Sequence, residues 1–298
     1  MPTLKDEALS CTFASTMWKA ERLDRKLASE IEVTHNNTTD LGRFHRKLFP
    51  GCDAPLKLVL NSIENVRAVH EFYSVPWPPT RAVKIQAFSH HRDATREAIG
   101  RFDVALQALY EAYPSMVTEG LRNSNGLSSP AEYIPREDLL DRFSVTITYG
   151  QMEDPNNWLT SPLLTPQQAQ DLVTQSNTSQ QRLLDGVLSS LKDQLATCFK
   201  SARENLAKVQ PIKLTTLTGA TAAKFRFNVA WLINLKQLCE MIPSFNIGND
   251  PTLPQIVLDL QPILRHTPET MRTSASAQAD ATSCLESTIA TYSDWLNS

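Results

Sequence analysis

Cationic and aromatic side chains are concentrated between Gly42 and Gly51, and this stretch is the part of the sequence best suited to bind an anion. Its cations and rings are Arg43, Phe44, Arg46, Lys47 and Phe49. Guanidinium and ammonium groups bind phosphates or carboxylates, and aromatic rings stack on bases. The same pattern also fits a helical turn that buries Phe44 and Leu48 and leaves the charges in water. Both interpretations remain open on the sequence alone.

A second basic region lies between residues 186 and 236, where eight lysines and arginines face two carboxylates. Its candidate binding residues are Lys200, Arg203, Lys208, Lys224 and Arg226. Such a region could follow a nucleic-acid backbone. Residues 237–298, however, carry seven carboxylates against two cations. We therefore favour compensation between these oppositely charged segments, within one molecule or between subunits, over nucleic-acid binding.

Other residues with chemical potential give weaker signals. Trp77 stands between prolines and could anchor a partner, or it could hold a loop on the core. His90 and His91 are adjacent, so on a helix their side chains point about 100° apart and do not readily share a metal ion. The nucleotide-binding, dinucleotide-binding, zincin, hydrolase and paired-cysteine motifs are missing from the sequence. We predict a protein that is not an enzyme, with no catalytic residue, metal or cofactor.

Composition indicates an ordinary soluble protein. The chain has 298 residues, 41% of them hydrophobic, with a formal net charge of -3, which argues against a surface devoted to nucleic acid. Its five cysteines have no metal-binding spacing and fit a reducing cytoplasm. No apolar stretch is long enough for a leader or a membrane span, so we expect neither.

Hydrophobic periodicity predicts a mainly α fold. Apolar stripes at helical spacing predict a first helix at 18–33, long helices at 90–119 and 180–209, and a return helix from 225 to 242. Alternating residues at 83–87 and 145–149 predict two short strands that pair with each other. We predict long antiparallel helices in a bundle or coiled-coil-like arrangement, with at most a small two-stranded β element. The predicted regions are a helical region at 1–150, a loop-rich linker at 151–177, and a helical hairpin with C-terminal helices at 178–298.

The order of several short motifs resembles a family of bacterial and phage proteins catalogued as domain of unknown function thirty-one-fifty. These motifs are Gly42-Arg43, Lys47-Leu48, Pro50, Pro76-Trp77, Phe102, Tyr113-Pro114, Phe225-Arg226, Ile242-Pro243-Ser244-Phe245-Asn246, Asp250-Pro251 and Met271-Arg272. The resemblance implies a helical protein of phage or mobile-element origin. Members of that family tend to be encoded near MoxR-type AAA+ ATPases, which suggests an adaptor or a substrate of such a machine.

From these observations we predict a non-enzymatic interaction or assembly protein of the bacterial cytoplasm. The expected partner is another protein or a second copy of the chain, with an AAA+ ATPase as one candidate. The alternative is a nucleic-acid-binding phage protein that uses the basic stretches at 43–47 and 192–236.

Overall fold

The structure is a computed structural model that describes residues 4–24, 34, 45–208, 210–215, 221–226 and 228–297, with the strands at 210–215 and 221–226 described as backbone only. The chain forms two compact units. Unit 1 consists of Met1–Cys11, Phe72–Ser89 and Tyr149–Ser298, and unit 2 consists of Thr12–Glu71 and His90–Thr148. This division differs from the contiguous regions predicted at 1–150, 151–177 and 178–298, because each unit takes residues from several parts of the chain.

Strands are interspersed with helices up to residue 226, and the described elements after it are all helices. The elements are α1 (Leu4–Glu7), β1 (Ala8–Thr16), β2 (Glu21–Leu23), β3 (His45–Lys47), α2 (Ala54–Phe72), β4 (Val75–Trp77), β5 (Thr80–Lys84), α3 (Phe88–Asn123), β6 (Ser144–Gln151), α4 (Pro166–Ala207), β7 (Gln210–Thr215), β8 (Thr221–Arg226), α5 (Ala230–Phe245), α6 (Thr252–Asp259), α7 (Gln261–Leu264), α8 (Pro268–Thr273) and α9 (Ala275–Asn297). Short 3-10 helices lie at Ile85–Ala87, Pro130–Glu132, Arg136–Asp138, Leu140–Arg142 and Pro155–Thr160.

Strands β4, β5, β1 and β6 form a four-stranded sheet in that order. Strand β5 pairs antiparallel with β1 from Ala8 opposite Lys84 to Cys11 opposite Arg81. It also pairs antiparallel with β4, and Trp77 lies opposite Thr80 at the turn between them. The strands β2 and β3 form a separate antiparallel ribbon, and β7 and β8 form another.

These sheets show that the predicted mainly α bundle or coiled-coil-like fold is wrong. Residues 21–23 of the predicted first helix form a strand, while positions 25–33 lie outside the described residues. The predicted pairing of 83–87 with 145–149 is also wrong, because β1 lies between β5 and β6. Strand β1 was not predicted because its residues, ALSCTFAST, are small or weakly polar and show no strong alternation of apolar and polar side chains.

Some helix predictions are confirmed with changed ends. The helix predicted at 90–119 is α3, and its stripe is buried at Phe102, Leu109 and Met116. The helix predicted at 180–209 begins earlier, at Pro166, because Thr165 and Gln168 form a capping box around its first turn. The return helix begins at Ala230 rather than at 225, since β8 occupies 221–226.

Each unit has its own hydrophobic core. In unit 2, α2 and α3 bury an apolar stripe together with Leu48 and Phe49, which follow β3. In unit 1, the second half of α4 packs with α5 and the C-terminal helices around Leu195, Leu235 and Leu285. A smaller cluster in unit 1 joins residues of β1, β4 and β5 to Met152 and Ile247.

Candidate functional site

The described part of the basic stretch contains β3, one strand of the β2–β3 ribbon in unit 2. Glu21 lies opposite Lys47, and the ribbon is extended by the amide of Leu48, which donates to the carbonyl of Ala20 at 2.9 Å. Leu48 is fully buried, so it fixes the end of β3 on the core of the unit. The predicted candidate Arg43 lies outside the described residues.

Arg46 uses its charge inside unit 2. Its Nη2 lies 2.9 Å from Oε1 of Glu132, its Nε lies 3.4 Å from Oδ2 of Asp24, and its Nη1 donates to Oγ of Ser128. The backbone amide of Ser129 and, to a smaller extent, Arg46 hold the pKa of Glu132 below its usual range. Arg46 therefore joins β3 to the loop after α3, which is a positioning role that the sequence did not reveal.

Lys47 lies beside a groove of about 330 Å³ in unit 2. Three lysines and three carboxylates line this groove: Lys19, Lys47, Lys57, Glu21, Asp53 and Glu64. One of these pairs is closed, because Nζ of Lys57 lies 3.0 Å from Oδ1 of Asp53. Since the charges balance, the groove lacks the net positive charge that draws phosphate to a site.

Trp77 is buried, with 8% of its surface exposed, and belongs to the small core cluster of unit 1. Trp77 also lines a polar cavity together with residues 176–183 of α4. The ring is thus positioned by the β4–β5 turn, where the hydroxyl of Thr80 donates to the Trp77 carbonyl at 3.2 Å. Trp77 therefore forms part of the wall of a cavity and does not project from the surface as a partner anchor would.

The second basic region is partly neutralised within unit 1. Arg203 on α4 pairs with the carboxylate of Glu286 on α9, and its Nε donates to Oε1 at 2.6 Å. Lys200 on the same helix and Lys208, the residue that follows its end, are exposed and contact no carboxylate among the described residues. Lys224 and Arg226 lie on β8, where the backbone alone is described. The Arg203 pair is the kind of contact expected if the oppositely charged segments compensate each other.

Two buried histidines in unit 2 form a polar contact that the sequence analysis missed. Nδ1 of His70 on α2 lies 3.0 Å from Nε2 of His91 on α3, and each residue is at most 1% exposed. One imidazole must donate and the other accept, so the two facing nitrogens cannot both carry a proton. Phe13 stacks on the His70 ring with centroids 6.1 Å apart. The detectable signal was the place of both histidines on the apolar stripes of their helices.

Lys84 in unit 1 is a buried cation that the alternation of its strand assigned to the polar face. It is 5% exposed, and its Nζ donates to the carbonyl of Asn246 at 2.8 Å and to Oδ1 of Asn249. Burial lowers the pKa of Lys84. A buried lysine with a lowered pKa can act as a nucleophile. Here its donors are directed at the loop after α5, so it fixes that loop.

An open groove of about 490 Å³ runs between α4 and α5 in unit 1. Its apolar floor is formed by Phe72, Cys198, Leu238 and Met241. Its rim is formed by uncharged polar side chains and one carboxylate: Ser190, Gln194, Thr197, Asn234, Gln237 and Asp193. Among the described residues, no cation pairs with Asp193. An apolar floor, with a rim that is uncharged except for one carboxylate and holds no cation, suits the apolar face of a helix better than it suits a nucleic-acid backbone.

No protein-family model, curated protein or solved structure matches this chain. The resemblance to the bacterial and phage family therefore stays a prediction. In the part of the chain that the structure describes, no helix combines the length and the apolar character needed to cross a membrane.

Proposed function

We propose that this protein is a non-enzymatic interaction protein whose groove between α4 and α5 binds an amphipathic helical segment of a partner protein. The observation that carries the proposal is the groove itself, which offers an apolar floor along two helices and uncharged polar groups on both sides. Amphipathic helices bind such grooves through apolar residues spaced one helical turn apart.

Asp193 specifies the chemistry of the partner further. It is exposed in the rim of the groove, and among the described residues it pairs with no cation. A lysine or arginine beside the apolar face of the partner helix would complement this carboxylate and fix the direction of binding. The partner we propose is therefore an amphipathic helix with a cation next to its apolar face.

The resemblance to the bacterial and phage family adds one partner candidate, an AAA+ ATPase of the MoxR type. The cytoplasm is the proposed location, because the five cysteines have no disulfide spacing and are free in the structure. Phage or mobile-element origin rests on the same resemblance and on nothing else.

Site-specific cross-linking tests the groove. A photoreactive amino acid at Gln237, in the rim, is compared with one at Glu240, which is exposed on the same helix but outside the groove. We expect cross-links from position 237 alone to a peptide whose sequence forms an amphipathic helix with a basic residue. A synthetic copy of that peptide should bind the purified protein, and Asp193→Lys should weaken binding about tenfold or more.

The proposal fails if positions 237 and 240 give the same cross-links, or if Asp193→Lys leaves binding unchanged. If position 237 instead cross-links two copies of this chain, the groove is a self-association surface and the proposed partner helix is wrong. Circular dichroism of each variant, with Glu240→Lys as the matched control for Asp193→Lys, separates loss of binding from loss of folding.

Nucleic-acid binding is the second candidate, and the exposed side chains of Lys200 and Lys208 favour it. Pairing of Arg203 with Glu286 and of Arg46 with Glu132 weighs against it, because both cations are used within the fold. Retention on nucleic acid at about 50 mM salt that falls steeply by about 200 mM would support this candidate. Absence of retention at the lower salt would remove it.

A further inference from the structure

The cavity beside the β4–β5 turn in unit 1 has a composition unlike that of the α4–α5 groove. It has a volume of about 280 Å³, close to the lower end of the range for small-molecule sites, which begins at about 300 Å³. One wall is formed by the Trp77 ring and by Pro78 and Pro79. The opposite side is lined by residues 176–183 of α4 and by residues at and just after the end of β6.

The polar side of the cavity consists of hydroxyl, amide and carboxylate groups. Its members are Gln151, Glu153, Ser176, Ser179 and Gln180. None of these side chains is engaged in a hydrogen bond with another described residue. Serine hydroxyls and glutamine amides both donate and accept, whereas an ionised glutamate accepts only. Donors and acceptors of both kinds therefore remain unused around one small space.

Charge excludes several ligand classes from this cavity. Among the described residues that line it, Glu153 carries the only charge, and no lysine or arginine is present. A phosphate, nucleotide or carboxylate would meet a repulsive carboxylate without a compensating cation. A divalent metal would find a single carboxylate, which is too few anionic ligands for a stable site. A purely apolar molecule would leave the amides and hydroxyls without partners.

A neutral molecule that carries many hydroxyl groups satisfies both sides of the cavity. Each hydroxyl donates and accepts, which matches the glutamine and serine side chains, and one hydroxyl donor can bind the Glu153 carboxylate in a charge-assisted bond. The C–H groups of a sugar ring can pack on the apolar surface that Trp77 forms with Pro78 and Pro79. We propose that this cavity binds a neutral saccharide of about one ring, with the sugar ring against Trp77 and its hydroxyls on Ser176, Ser179 and Gln180 of α4.

The proposal is independent of the helix-binding groove, because the two sites share no residue. It also gives Trp77 a role that fits its burial. Trp77 is fixed in the core cluster with Val75 and Ala82 and also contributes to the lining of the cavity. A ring held in this way is preorganised, so binding a sugar would cost little side-chain entropy.

Ligand-observed saturation-transfer NMR and calorimetry test the proposal with the full chain. The probes are glucose and N-acetylglucosamine, with inorganic phosphate as the anionic comparison. We expect one of the sugars to bind with a Kd of about 1 mM or tighter, and phosphate not to compete. Absence of sugar binding at about 10 mM, or displacement of a sugar by phosphate, would overturn the proposed ligand class.

Paired variants on α4 locate the site without touching the core. Ser179→Phe places a ring in the cavity, whereas Thr178→Phe places the same ring on the neighbouring exposed position outside it. Gln180→Ala removes one hydrogen-bonding group, and Gln175→Ala removes the same group outside the cavity. We expect Ser179→Phe to abolish sugar binding and Gln180→Ala to weaken it about tenfold, with the two controls unchanged. Equal effects of a variant and its control would place any binding elsewhere and refute the assignment.

Discussion

Replacement of Arg46 by alanine should destabilise unit 2, because Arg46 joins β3 to the loop after α3. Its guanidinium contacts carboxylates of Asp24 and Glu132, and the three side chains are 18%, 17% and 30% exposed. Exposed ion pairs contribute about 0 to 1 kcal/mol, and a fully buried pair that loses one partner costs about 3 to 5 kcal/mol. The observed exposure lies between these cases, so we expect a loss of about 2 kcal/mol in the free energy of unfolding.

Urea-induced unfolding at neutral pH measures this loss. Lys47→Ala is the matched control, because Lys47 is the exposed neighbour on the same strand, and it should change stability by at most about 0.5 kcal/mol. A double-mutant cycle of Arg46→Ala with Glu132→Ala should give a coupling energy of about 1 kcal/mol. If Arg46→Ala matches Lys47→Ala, the guanidinium is a solvated charge, and its use as an anion-binding group regains support.

The pH dependence of stability gives a second measurement of the same contact. The folded-state pKa of Glu132 is lowered, so its contribution to stability is present above the unfolded value of about 4.3 and is lost as pH falls through the lower folded value. Arg46→Ala should weaken this acid-dependent loss without removing it, because the amide of Ser129 is the largest cause of the shift. An unchanged pH profile in the variant would contradict the pairing.

Three further predictions concern packing in the two units. Gly120→Ala should lower the free energy of unfolding, measured with urea, by about 2 kcal/mol, because the added Cβ would lie 2.6 Å from the Leu48 carbonyl oxygen. Gly100→Ala is the control: its Cβ would meet no atom within 4 Å, so it should raise the free energy of unfolding by about 0.5 to 1 kcal/mol, and equal effects of the two variants would contradict the contact. His91→Ala should lower the free energy of unfolding by about 3 kcal/mol, because it removes a buried hydrogen bond and leaves a cavity. A similar decrease for His90→Ala, the exposed control, would refute this prediction. Burial raises the pKa of Cys239 to about 12, so alkylation of this thiol at pH 8 should require unfolding, and rapid modification of the native protein would show that it is accessible.

The sequence predicted the presence of the long helices better than it predicted where they begin and end or which strands lie beside them in the chain. The stripe of α3 is buried along one face as expected, because a helix closes its hydrogen bonds within a few residues and shows its buried face at a fixed spacing. The start of α4 is also specified by nearby residues, the capping box of Thr165 and Gln168, but the prediction used hydrophobic spacing alone and placed the start at residue 180. The strand predicted at 145–149 lies within β6, whereas only residues 83 and 84 of the strand predicted at 83–87 belong to β5, and Ile85–Ala87 form a 3-10 helix.

Only the tertiary structure decided which strands pair and which polar residues become buried. Strand β1 lies between β5 and β6. The sequence could not predict this position, because strands that pair can be far apart in the chain and the weak alternation of β1 does not specify which strands it pairs with. Arg46 and Lys84 look like surface residues in the sequence, and each acquires its role from acceptors supplied by another element. His70 and His91 lie on the apolar stripes of their helices, but only the packing of α2 against α3 brings their imidazoles together. The sequence thus determined a protein rich in amphipathic helices, whereas packing and hydrogen bonding between distant segments determined its sheets, its buried charges and its two candidate binding sites.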